Sequence, residues 1–325
     1  MFSEKMVYKT KDEEAKKILS DFLPNKIFDA HAHIYDKGFA PSINGARLDF
    51  NKYKEEMSKL LCSPEKLGAN LIVFPEKSMS VKLSDEMLVS ELKVHTDCVG
   101  EIIVRPDDTA DDIEKRLVHK NIKGFKCYHV FAKREDTWNA DIGEYLPESA
   151  FEVAEKYGMV ITLHMVKDRS LADEENIKYI RKMAVRYPNA KLILAHAARS
   201  FASWTGVEAV ERVADLENVW FDFSAVCESP AMFQIMKKAG TKRCMWGSDY
   251  PVCRPRGKCV SLADGFYWIY ESDLKNFQSN TPINDWPIAV EGLMAVRQAC
   301  LMADLGRKEI EDLFYNNAIK LWGLK

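Results

Sequence analysis

Short, nearly continuous apolar runs recur along the chain: KIFDAHAH (26–33), ANLIVFP (69–75), CVGEIIVRP (98–106), IKGFKCY (122–128), MVITLH (159–164), AKLILAH (190–196), NVWFDFS (218–224) and KRCMWGSD (242–249). Runs of this kind are expected of strands covered on both faces. Between them the pattern changes to a helical period. In DEENIKYIRKMAVRYP, Ile177, Ile180, Ala184 and Tyr187 form one stripe, acidic residues open the segment and Pro188 closes it. PESAFEVAEKYG carries Pro147, suited to a first helical turn, and Gly158, suited to a C-terminal stop. Eight strands alternating with helices predict one (β/α)8 TIM barrel over residues 1–325. A doubly wound open sheet is the alternative, but no strand is followed by a G-x-G-x-x-G or P-loop signature.

The length is generous for that fold, so extra pieces are expected. Residues 1–25 read as an N-terminal helical extension. Residues 34–68 form an insertion after strand one, with a helix-like segment from about Asp49 to Leu61. Residues 250–288, after strand eight, carry Pro251, Pro255, Gly257, Pro282, Pro287 and three aromatics at 266–268. Both follow strand ends at the face where barrel loops build active sites, so each reads as a lid or as mere decoration.

Composition narrows the partners. A net charge of −3 and a pI near 6.2 give no electrostatic case for nucleic acid or an anionic membrane. No run of eighteen apolar residues exists to span a bilayer, and the charged amino terminus lacks an apolar signal core. The eight cysteines are scattered without a C-x-x-C pair, as expected of a reduced, cytoplasmic protein.

The chemistry concentrates at strand ends. His31 and His33 share a face if residues 26–33 are a strand, which makes them half of a metal site or a polar strand end. His164 ends strand five, His196 strand six and Asp249 strand eight, whereas His95, His119 and His129 follow no such rule. A closed barrel brings these ends to one mouth. Lys126 ends strand four, with Tyr128 on the same face and His129 pointing elsewhere. Arg105 ends strand three, and Arg199 lies three residues past His196. Such cations suit a small substrate carrying a carboxylate or phosphate. Arg105 has a competing use, because Asp107 and Asp108 stand beside it. Arg254 and Arg256, beyond GSDYP, are further candidates.

These motifs resemble a known family. FDAHAH is similar to the H-x-H opening of the amidohydrolase superfamily, and ITLH, LILAH and WGSDYP resemble its ligand-bearing ends of strands five, six and eight. DLFYNNAIKLWGL resembles the carboxyl-terminal stretch of the branch labelled amidohydrolase 2, so the similarity runs from about residue 26 to 324. The resemblance implies one divalent metal ion, zinc before manganese or iron, held by His31, His33, His164 and Asp249. It further implies that His196 faces the activated water or substrate and that Asp249 acts first as general base, then as general acid. His196 would stabilise the negative charge developing on the attacked oxygen. A homodimer is also implied.

Lys126 is either a carboxylated bridge between two metals or, as the branch favours, a cation beside the substrate. The branch often has K-x-H where this chain has Lys126, Cys127, Tyr128 and then His129, so Tyr128 becomes the expected substrate contact. The implied function is a metal-dependent hydrolase of a small anionic lactone, amide or ester. Non-oxidative decarboxylation of a small unsaturated or aromatic acid is the alternative, although LILAHAARSF departs from the glycine-rich GHxG associated with decarboxylases. A non-catalytic, anion-binding barrel is the third reading, and the retention of all five strand-end positions argues against it.

Overall fold

The computed structural model describes residues 5–40, 47–276, 283 and 285–324. Residues 1–4 of the expected extension, 41–46 of the insertion, and 277–282 and 284 after strand eight, Pro282 among them, lie outside the described residues. Eight parallel strands follow one another in chain order: β1 (Lys26–Ile34), β2 (Lys66–Val73), β3 (Val99–Ile103), β4 (Ile122–Cys127), β5 (Val160–Leu163), β6 (Lys191–Leu194), β7 (Val219–Asp222) and β8 (Cys244–Met245). Backbone hydrogen bonds close the circle between the last strand and the first: Ala30 N–H to the Trp246 carbonyl at 3.0 Å, Asp249 N–H to His31 at 2.8 Å and His33 N–H to Tyr250 at 2.7 Å. This is the (β/α)8 barrel that the alternating pattern predicts, not an open sheet.

The helices begin and end largely where the sequence signals them. Glu148–Tyr157 stops at Gly158 in the left-handed region, φ 65°, while Pro147 stands just ahead of the helix as its N-cap. Glu174–Arg186 starts at Asp173, whose carboxylate accepts from the Glu175 and Asn176 amides at 3.1 Å.

The barrel interior is layered. At its base Phe28, Val99, Val160, Ile193, Trp220 and Met245 pack together. The helix Asn317–Trp322 covers this base, with the Trp322 ring 5.3 Å from Phe28. Burying a side chain of this size contributes about 1.5–3 kcal/mol. Asn317 Nδ2 donates to the carbonyls of Thr241 and Cys244, both at 2.8 Å, tying the terminal helix to the start of β8. Above the apolar layer, Glu101 Oε1 accepts from Asn70 Nδ2 at 2.9 Å and Thr162 Oγ1 at 2.8 Å. Burial pushes the Glu101 carboxyl up to about 8.

A bulge in β1 re-phases the strand. Asp29 pairs with Ala69 but Ala32 with Leu71, so one extra residue is accommodated. Strict alternation would turn Phe28 and Ala30 to one face and His31 and His33 to the other. With the bulge, Phe28 and Ala30 join the basal layer and both histidines still line the mouth above it.

Two excursions flank that mouth. After β1 the helix Phe50–Leu60 is capped by Asp49, and Tyr53 donates its hydroxyl to Asp29 at 2.7 Å. After β8, where no regular element is expected from the proline and glycine content, the chain forms an antiparallel hairpin, β9 (Gly257–Leu262) and β10 (Gly265–Tyr270). Arg254 and Arg256 serve structure rather than the mouth: Arg254 pairs with buried Glu56, and Arg256 with Asp12 and Asp285. All eight cysteines are free and seven are buried. No described helix is long and apolar enough to cross a membrane.

Candidate active site

The C-terminal mouth holds a cavity of about 260 Å³. His31, His33, Lys126, His164, His196 and Asp249 line it, so the barrel brings together all the strand-end residues singled out on β1, β4, β5, β6 and β8. Tyr128 joins them, along with Phe74, Trp138 and Phe201. The hairpin adds Phe266, Trp268 and Tyr270, which alternate along β10, while Tyr267 between them is exposed.

The central cluster is His31, His33 and Asp249. His33 Nε2 lies 3.2 Å and His31 Nε2 3.7 Å from Asp249 Oδ1. The far nitrogens are held by protein acceptors, His33 Nδ1 by the Ile72 carbonyl at 3.3 Å and His31 Nδ1 by Asp222 Oδ2 at 3.0 Å. Both rings therefore carry their proton on Nδ1 and turn an Nε2 lone pair towards Asp249. Burial, and then the Lys126 charge, pushes His31 down to about 3, which keeps it neutral. Two imidazoles and a carboxylate gathered this closely form a donor set that fits a divalent metal ion. A second group, His31, His196 and Asp222, also lies close enough, but its atoms are already engaged, His31 Nδ1 and Asp222 Oδ2 by each other and His196 Nδ1 by Ser224. His164 sits in the same cavity outside both groups, its Nδ1 3.2 Å from His196 Nε2 and its own Nε2 without a partner.

His196 departs from its expected place on a strand end. β6 stops at Leu194, and residues His196 to Arg199 form a left-handed turn with φ between 51° and 59°. Such backbone costs roughly 1–2 kcal/mol per residue, and a buried partner fixes it: Asp222 Oδ1 accepts the His196 amide at 3.0 Å. The turn carries Arg199 into the cavity, where its guanidinium lies 5.5 Å from the Trp138 ring and 5.4 Å from Phe266. Its Nη1 donates to the Lys167 carbonyl and Ser170 Oγ, both at 3.1 Å, and it forms no ion pair among the described residues.

Arg105 does not reach this cavity. Its guanidinium donates to the Met79 carbonyl at 2.7 Å and lies over Phe131, in a separate surface depression. Nor does its side chain bridge the neighbouring acids, because Asp107 pairs with Lys133 and Asp108 with Arg116. The backbone turn after β3 redirects it: the Arg105 amide donates to Asp108 Oδ2 at 2.8 Å. His129 is absent from the cavity lining and pairs with Thr137 Oγ1 at 3.0 Å, as the period of two requires.

Sequence reasoning missed Asp222, Ser224 and Asp29. Asp29 Oδ1 accepts the amides of His31 and Ser248, both at 2.9 Å, bracing the backbone on either side of the cluster. The signal for the first two was present. Asp222 and Ser224 form a D-x-S at the end of a strand, the same spacing that marked H-x-H.

Histidines and carboxylates gathered at the C-terminal mouth of a (β/α)8 barrel define a barrel enzyme with a donor set for a metal ion. The chain belongs to the amidohydrolase family, whose model (Amidohydro_2) matches residues 28–324. No curated protein matches it in sequence. Among solved structures it is similar to an amidohydrolase from Burkholderia multivorans with bound zinc, at 13% identity and a TM-score of 0.61 over 92% of this chain and 100% of that one. A putative 2-pyrone-4,6-dicarboxylic acid hydrolase from Pseudomonas putida aligns at 15% identity and TM-score 0.57, covering 93% and 98%. A 5-carboxyvanillate decarboxylase from Sphingomonas paucimobilis aligns at 13% and 0.57, covering 92% and 99%. At these identities the likeness shows the fold.

Proposed function

We propose that the protein is a metal-dependent hydrolase of a small carboxylate- or phosphate-bearing lactone, amide or ester. The placement of Asp249 carries the reading: Oδ1 faces two imidazole lone pairs, while Oδ2 lies 3.9 Å from His196 Nδ1, beyond hydrogen bonding. One carboxylate thus has an oxygen for a metal ion and another for a proton. His31, His33, His164 and Asp249 would hold a divalent ion, zinc foremost as in the Burkholderia multivorans structure, and that ion supplies Lewis acidity and an activated water. Asp249 Oδ2 takes the proton of the attacking water and returns it to the leaving group. Arg199 and Lys126 bind the substrate anion and offset negative charge developing on the attacked oxygen, with Tyr128 beside them. The charge stabilisation expected of His196 passes to these two cations, because its ring nitrogens are engaged by Ser224 and His164.

Decarboxylation is the second reading, favoured by the aromatic wall of Phe74, Trp138, Phe266 and Trp268, which suits a flat acid, and by the Sphingomonas relative. A pH-stat screen of the zinc-loaded enzyme separates the two. Hydrolysis of carboxylated lactones releases acid and supports the first. Turnover confined to aromatic acids, with carbon dioxide evolved, replaces it with the second.

A further inference from the structure

We propose that Asp222 is a positioning residue of this site: its hydrogen bond sets the tautomer of His31, and the Ser224 it holds supports those of His196 and His164, so that Nε2 of His31 and of His164 carries no proton. The inference rests on reading the mouth as a metal site. Its starting point is the donor count at one carboxylate. Asp222 is fully buried at the end of β7 and receives four donors: His31 Nδ1–H at 3.0 Å on Oδ2, the His196 and Ser224 amides at 3.0 Å on Oδ1, and the Ser224 hydroxyl on Oδ1. Three donors converge on Oδ1, the arrangement of an ionised carboxylate, which accepts only, and Oδ2 is left facing His31.

The consequences propagate in two directions. Towards β1, an acceptor-only partner requires the His31 proton on Nδ1, which frees Nε2. Towards β6, the Ser224 hydroxyl has its hydrogen on Asp222, so Ser224 Oγ accepts from His196 Nδ1 at 2.9 Å. The Ser224 carbonyl, 3.2 Å from the same nitrogen, requires the same assignment, since a carbonyl only accepts. His196 Nε2 is then a lone pair and accepts His164 Nδ1–H at 3.2 Å. The far nitrogen of His164, Nε2, is left bare, and it is buried with no hydrogen-bond partner among the described residues. The chain Asp222, Ser224, His196, His164 thus delivers a lone pair to the cavity from β5 as the direct bond does from β1. His33 is set independently by the Ile72 carbonyl. The same Asp222 oxygen anchors the left-handed turn that brings Arg199 into the cavity.

The test is histidine nitrogen NMR on the metal-free full chain, followed by zinc titration, for wild type, Asp222→Asn and Ser224→Ala. Wild type is expected to show the Nδ1–H tautomer at His31, His164 and His196. Asp222→Asn, nearly isosteric, puts an amide opposite His31 and removes the acceptor that fixes its proton on Nδ1, weakening zinc 10- to 100-fold, the usual effect of losing a carboxylate behind a metal-bound imidazole. Ser224→Ala should leave all three tautomers unchanged, because the backbone carbonyl at 224 still accepts from His196 Nδ1. An Nε2–H tautomer at His31 or His164 in wild type overturns the proposal, as does wild-type zinc affinity in a folded Asp222→Asn. If Asp222→Asn does not fold, the His31 tautomer in wild type decides alone. Expected tautomers in a wild type that binds no zinc would leave this inference standing and defeat the proposed function instead.

Discussion

The ammonium of Lys126 lies 3.3 Å from Nε2 of His31, the nitrogen that faces His33 and Asp249. Lysine and histidine sit on strands that are not neighbours, and they meet because both side chains point into the barrel from its β1 and β4 walls. The lysine therefore donates to the lone pair that a metal ion would take. Burial lowers its affinity for a proton, while the nearby Asp222 and Asp249 carboxylates favour the charged form.

Lys126→Met should leave zinc affinity unchanged or tighter, since a competitor for the His31 lone pair is gone. The KM for an anionic substrate should rise 10- to 100-fold, matching the roughly 1.5–3 kcal/mol of a charge-assisted hydrogen bond. Zinc titration and steady-state kinetics check both. Loss of zinc, together with two ions per wild-type chain, would instead make Lys126 a carboxylated bridge.

Asp249→Asn keeps an oxygen for a metal but loses the base. Zinc content should stay substantial while kcat falls about 10²- to 10⁴-fold, the range for removal of a general base. Metal analysis beside kinetics reads the two effects separately, and near-normal turnover would remove Asp249 from that role.

Arg199 is a buried cation between two aromatic rings, with no carboxylate paired to it among the described residues. Arg199→Met is expected to melt at the same temperature as wild type or higher, because an uncompensated buried charge disappears. The KM should rise about tenfold or more, with kcat less affected. A large loss of stability with KM unchanged would assign Arg199 to the fold instead.

Glu101 supplies a pH test that needs no substrate. Its folded-state value of about 8 lies above its ordinary 4.5, so the folded protein retains a proton that the unfolded chain loses. The stability this contributes is complete below pH 4.5 and is lost as pH rises through 8. Glu101→Gln, which mimics the protonated acid, should therefore gain stability relative to wild type across that window. The slope of the difference is at most about 1.4 kcal/mol per pH unit, the value for one proton. Denaturant unfolding at pH 5, 7 and 9 measures it, and a constant difference would mean that Glu101 is already ionised in the folded state.

Much of this protein is local information. The eight strands, the stop at Gly158 and the cap at Asp173 follow from residues adjacent in sequence, because hydrogen bonding and side-chain period act within one element. The cluster of His31, His33, His164, His196, Lys126 and Asp249 was legible for the same reason, since a strand end in a barrel has only one mouth to face. The post-β8 hairpin was within reach too. Asp264-Gly265 between alternating residues is a turn signal, but the three consecutive aromatics at 266–268 obscured the period of two.

Tertiary structure alone decided the rest. The β1 bulge depends on the register that β2 offers, and the direction of Arg105 on a turn closed by Asp108. The left-handed turn at His196 exists because Asp222, 26 residues later, accepts its amide. Asp222 in turn meets His31 across 191 residues of chain. Sequence determined that the side chains ending β1, β4 and β5 reach the mouth, because that is a matter of period. Which nitrogen of a ring carries the proton depends on partners from other strands, Asp222 for His31 and the Ile72 carbonyl for His33, because a proton's position follows the group that accepts it.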